Sequence, residues 1–74
     1  MERLKKFRQE KGLSQEAMAK TLGITLSMYE KVEQGRANAS AAFMKRMKAA
    51  FEDVNIDYIF FCRQTATTLL NVYD

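Results

Sequence analysis

The chain has 74 residues, with no histidine, tryptophan or proline, one cysteine and only three glycines. Without an imidazole there is no base to activate Cys62, and no cluster of residues has metal-ligand spacing. No glycine-rich phosphate loop occurs either, and the carboxylates are scattered over predicted exposed helix faces. These absences argue against an enzyme and leave no cofactor signature, so the chain reads as a binding protein. A lone cysteine cannot form an internal disulfide, which suits a reducing cytoplasm. No apolar run approaches the roughly 18 residues of a membrane span. The opening, MERLKKFRQE, is charged where a secretory leader would be apolar. The lack of proline and the sparse glycine suit short helices joined by tight turns, not an all-β fold.

Charge is unevenly placed. Residues 1–48 carry eleven Lys/Arg against five Asp/Glu, a balance of +6, and residues 49–74 carry one against four, a balance of −3. A basic body with an acidic tail fits a polyanionic partner on one face, and the pI near 9.2 agrees. Charge alone does not separate that reading from an ordinary solvated surface.

The stretch QEAMAKTLGITLSMYEKVEQGR, from Gln15 to Arg36, organises the rest. Apolar residues fall at Met18, Ala19, Leu22 and Ile24, then at Tyr29 and Val32. That spacing gives two short helices one apolar face each, and small Ala19 lets them cross closely. Gly23 stands at the reversal. The pattern is a helix-turn-helix.

Around it, a first helix is expected from about Glu2 to Lys11, with Leu4 and Phe7 inward. Ser14, Thr25 and Ser40 are expected to cap the second, third and fourth helices. The fourth should bury Phe43, Met44, Met47, Ala50 and Phe51. Met28 flanks Val32 and is expected to border the core. Asn55 should open a fifth helix with Ile56, Ile59 and Phe60 inward. Residues 1–61 then form one domain, and 62–74 form a tail whose threonines and Val72 suit a strand while Leu69 and Leu70 suit a helix. An apolar tail on so small a domain can cover its own core or pair two subunits, and the dimer is favoured.

From Leu4 to Phe61 the chain resembles the Cro/repressor (XRE-like) helix-turn-helix regulators of phages and bacteria. The likeness rests on LKKFRQEKGLSQEAMAKTLGI, on Tyr29, Val32 and Glu33-Gln34-Gly35-Arg36, on Ser40, and on NIDYIFF. It implies an all-α, compact five-helix bundle of the lambda-repressor-like type. The implied partner is double-stranded DNA; a single reading helix contacts only a few base pairs, so useful specificity favours a homodimer at an inverted-repeat operator. On the third helix, the resemblance assigns base reading to Thr25, Leu26, Ser27 and Lys31. A lysine can donate to guanine, and Leu26 can pack on a thymine methyl. Phosphate contacts are implied for Gln15, Arg36, Asn38 and Ser40, with Lys5, Lys6 and Lys11 as weaker ones. Arg8 and Glu33 match a family pair that joins the first helix to the third as a structural ion pair. The family usually carries proline before the serine of helix four; here Ala39 stands there.

The expected function is a small transcriptional regulator, a Cro-like repressor of a phage or mobile element. Two rivals remain at this level: an antitoxin-type protein binder that also represses its operon, and an excisionase-like or architectural DNA binder.

Overall fold

Three hydroxyl residues set where helices begin. Ser14, Thr25 and Ser40 lie in extended backbone, and their side-chain oxygens accept from the N–H groups of Ala17, Met28 and Phe43 at 3.0, 3.1 and 3.1 Å. Each satisfies a helix-start donor that would otherwise lack a partner. The cap at Ser40 forms with Ala39, not proline, before it.

A computed structural model of the chain describes residues 1–61; the expected dimerisation tail, 62–74, lies outside them. The elements are α1 Glu2–Glu10, α2 Gln15–Leu22, α3 Leu26–Glu33, α4 Ala41–Ala50 and α5, a π-helical turn at Asp57–Phe61. Asn55 Oδ1 opens α5 by accepting from the Tyr58 N–H at 3.0 Å. The fold is all-helical, with no strand among the described residues.

At Gly23 the backbone turns into the left-handed region, φ 74°, where a side chain would be strained. The turn closes with two hydrogen bonds, Gly23 N–H to Lys20 O at 3.1 Å and Ile24 N–H to Ala19 O at 3.0 Å. This paired closure satisfies two carbonyls at the end of α2. A third, that of Leu22, accepts from Arg46 Nη1 on α4 at 3.0 Å. The guanidinium thus meets the negative end of the α2 dipole. A Cβ at Gly23 would come within 2.8 Å of that same Nη1.

α2 packs on α3 and α4, while α1 packs on α3 and α5. Between them lie Leu4, Met18, Ala19, Leu22, Tyr29, Val32, Phe43, Met47, Val54 and Ile59, all buried. Tyr29 stacks on Phe43 with ring centres 6.2 Å apart, and Phe43 meets the edge of Phe60 at 6.1 Å. Fully burying a leucine or methionine stabilises a fold by about 1.5–3 kcal/mol, so this small set carries most of the cohesion.

Four packing expectations change. Met28 does not border the core: it is 47 % exposed. Burial of the charged Glu33 turns the inward face of α3 toward Tyr29, Val32 and Glu33, away from Met28. Met44 and Phe51 are half-buried, the latter with its ring against the edge of Phe7 at 5.2 Å. Ala50 is exposed, because it lines an open groove with Leu22 and Gly23.

Candidate nucleic-acid interface

The third helix is held from one end. Glu33, in its last turn, is 5 % exposed, and its carboxylate collects four hydrogen bonds from three residues. Arg8 approaches from α1 with Nε 2.8 Å from Oε2 and Nη2 3.3 Å from Oε1. The Tyr29 hydroxyl donates to Oε2 at 2.6 Å, and the Gln15 amide, from the start of α2, donates to Oε1 at 2.9 Å. Arg8 also donates to the Leu13 carbonyl at 2.7 Å, and the Met1 amino group donates to the Glu33 carbonyl. One side chain therefore ties α1, α2 and α3 together. No buried side-chain polar atom among the described residues lacks a partner.

The charges follow from this geometry. Burial pushes the Glu33 carboxyl up, but the bonds from Arg8, Tyr29 and Gln15 outweigh it and hold the group below its ordinary value. For Tyr29, burial and then the bond to Glu33 raise the phenol well above its ordinary range, so it stays a donor. The bond to Glu33 raises the Arg8 guanidinium against the opposing effect of burial. A buried pair of this kind is costly to break from one side, because the survivor is left charged and unpaired.

The other end and outer side of α3 are bare. Thr25, Leu26, Ser27, Met28 and Lys31 are all exposed. The Thr25 hydroxyl serves as cap, leaving its O–H free to donate. Ser27 and Lys31 make no side-chain hydrogen bond or ion pair among the described residues. At about 100° per residue, Ser27 and Lys31 share one stripe opposite Tyr29 and Val32. The helix start also concentrates unpaired backbone N–H groups and the positive end of a dipole.

Arg36 and Asn38, in the loop between α3 and α4, are exposed, and Arg36 Nε donates to the Gln34 side chain at 2.9 Å. Ser40 is exposed but its oxygen caps α4. Gln15 is half-buried, and one amide hydrogen is committed to Glu33. Toward an anion it offers the other amide hydrogen and its helix-start N–H. Of the three weaker lysines, only Lys5 shares an open groove with Gln15, beside Met1, Arg8 and Gln34. Lys6 lines a separate groove with Arg3, Phe7 and Tyr58. Lys11 is bound to Asp53 at 2.7 Å, and that bond holds the Asp53 carboxyl below its usual range.

This arrangement is a helix presented by its N-terminal turn and one polar stripe, anchored at the opposite end. The Helix-turn-helix family profile matches residues 4–59. The chain belongs to the XRE-like helix-turn-helix family. That is a DNA-binding regulatory family. No curated protein and no solved structure matches the chain. Among the described residues no helix is long and apolar enough to cross a membrane.

Sequence reasoning missed two residues here. Arg46, which caps α2, stands between Met44 and Lys48 on α4 with no local feature to mark it. Met28 looked like a core-edge residue because it stands one turn before Val32.

Proposed function

We propose that this regulator is a sequence-specific, Cro-like repressor of a phage or mobile element. The N-terminal turn of α3 enters the major groove, with Thr25, Leu26, Ser27 and Lys31 against base edges. Gln15, Arg36, Asn38 and Ser40 face the phosphates on either side and fix the register. The observation that carries this reading is the bare stripe of Ser27 and Lys31 on a helix whose opposite face is fully buried. Repression is steric, in the cytoplasm: an occupied operator denies the site to polymerase.

One α3 reaches only a few base pairs, so useful specificity calls for two copies on an inverted repeat. Their half-sites would lie about 34–36 Å apart. Tyr58 and Phe61, 52 % and 60 % exposed at the end of the described chain, support a second copy on that side. An antitoxin-type regulator would use the same surface for a different protein. Sedimentation equilibrium of the purified chain separates these: a micromolar dimer supports the first, and a strict monomer removes it.

Selection of bound sequences from a random duplex pool tests the reading, with a Leu26→Ala, Lys31→Ala double variant in parallel. The expected result is an inverted repeat whose consensus degrades in the variant. Weak, uniform binding that the variant shares would overturn it. For the selected duplex, log affinity should fall with log salt at a slope near −0.9 per phosphate contacted.

A further inference from the structure

We infer that Met28 is an oxidation site through which a peroxide releases this regulator from its operator. The inference rests on Lys31 meeting DNA, as proposed above, and adds a chemical control of that contact. The chain has five methionines. Met18 and Met47 are fully buried and Met1 and Met44 are half-buried, whereas Met28 is 47 % exposed, in the first turn of α3. A dissolved oxidant therefore reaches this thioether well ahead of the rest.

The step balances with the peroxide alone. A sulfur lone pair attacks one oxygen of hydrogen peroxide or an alkyl hydroperoxide, the O–O bond breaks and an S–O bond forms. Sulfur gives up two electrons, and the other oxygen takes the proton and leaves as water or an alcohol. The product, methionine sulfoxide, is polar where the thioether was apolar.

What the new oxygen does follows from its neighbour. Lys31 stands three positions on, where side chains of one helix surface meet with about 5–6 Å between Cβ atoms. It is exposed and makes no side-chain hydrogen bond or ion pair among the described residues. The thioether sulfur is too weak an acceptor to hold an ammonium. A sulfoxide oxygen carries partial negative charge, so it draws the Lys31 Nζ down onto the helix surface and away from a base. The Thr25 hydroxyl accepts from the Met28 N–H at 3.1 Å, which fixes the backbone that places the pair. No buried side chain takes part, so release needs no unfolding.

The test uses the full chain carrying Cys62→Ser, which leaves methionine as the oxidisable sulfur, and the duplex recovered by selection. Graded hydrogen peroxide is followed by peptide mass mapping, operator affinity and melting temperature. Met28 should gain its oxygen first, with affinity falling about tenfold, the worth of one base contact, and melting temperature unchanged. Met28→Leu should bind as the reduced protein does and ignore the peroxide. Lys31→Ala, already weakened, should lose little more when Met28 is oxidised, because the two changes remove the same contact. Methionine sulfoxide reductase with a thiol should restore binding.

Full affinity in protein oxidised at Met28, beside a weakened Lys31→Ala, would overturn the inference and leave the groove reading standing. Oxidation that spares Met28, or a peroxide response that persists in Met28→Leu, would overturn it as well. An equal further loss in Lys31→Ala would refute the capture of Lys31. No selected duplex, or a Lys31→Ala that binds as wild type does, would sink the reading and the inference with it.

Discussion

The two ends of α3 are chemical opposites. At the C-terminal end, Glu33 is buried and its carboxylate is bonded by Arg8, Tyr29 and Gln15. At the N-terminal end, Leu26, Ser27 and Met28 are exposed, and their side chains have nothing within the described chain to bond. One end makes the helix rigid and the other keeps it available. Fixing a presented helix at its far end means that the orientation cost is met on folding, not on binding, which favours affinity for a rigid partner such as duplex DNA.

Breaking the anchored end should give the largest change. Arg8→Ala and Glu33→Ala should each lose about 3–5 kcal/mol of unfolding free energy, read by urea denaturation, because each strands a buried charge. Near-wild-type stability in both would mean the pair is not an anchor. The same end carries an acid dependence. Glu33 has its folded-state value depressed, so its contribution is present above the unfolded glutamate value of about 4.3 and is lost as pH falls through the folded value. Glu33→Gln, already destabilised, should show a flatter loss of melting temperature below that pH than wild type does.

At the free end the effects should reverse. Lys31→Ala should weaken binding to the selected operator by roughly 1–3 kcal/mol, the worth of a base contact, while its melting temperature stays close to wild type. The turn between α2 and α3 lies between these extremes. Gly23→Ala should destabilise by about 1–2 kcal/mol, since alanine is strained in the left-handed region and its Cβ would press on Arg46. Calorimetry with an Arg46→Ala control separates backbone strain from the displaced cap. Smallest of all, Asp53→Ala removes only an exposed bond to Lys11 and should leave the melting temperature unchanged.

Much of this comparison was legible in the residues. The three hydroxyl caps, the reversal at Gly23 and the inward positions Leu4, Met18, Leu22, Tyr29 and Val32 all follow from local chemistry and helical period, which depend on near neighbours. The convergence on Glu33 was less so. Resemblance pairs Arg8 with Glu33, but only folded geometry adds Gln15 from α2 and the hydroxyl of Tyr29 from within α3 around the same carboxylate. The exposure of Met28 was hidden for a related reason. A period-based reading treats a glutamate as outward, and once Glu33 turns inward the whole buried face of α3 shifts with it. Nor does sequence show that Arg46 reaches across to the Leu22 carbonyl, since nothing local distinguishes it from Lys45 or Lys48.

The most direct test of the central claim measures both ends in one protein: operator affinity and unfolding free energy of the Leu26→Ala, Lys31→Ala variant, at fixed salt. The account predicts a loss of specific affinity of at least about tenfold, as expected for a lost base contact, with unfolding free energy within about 0.5 kcal/mol of wild type. Undiminished specific affinity in a folded variant would contradict it, and would move the DNA-reading surface away from α3.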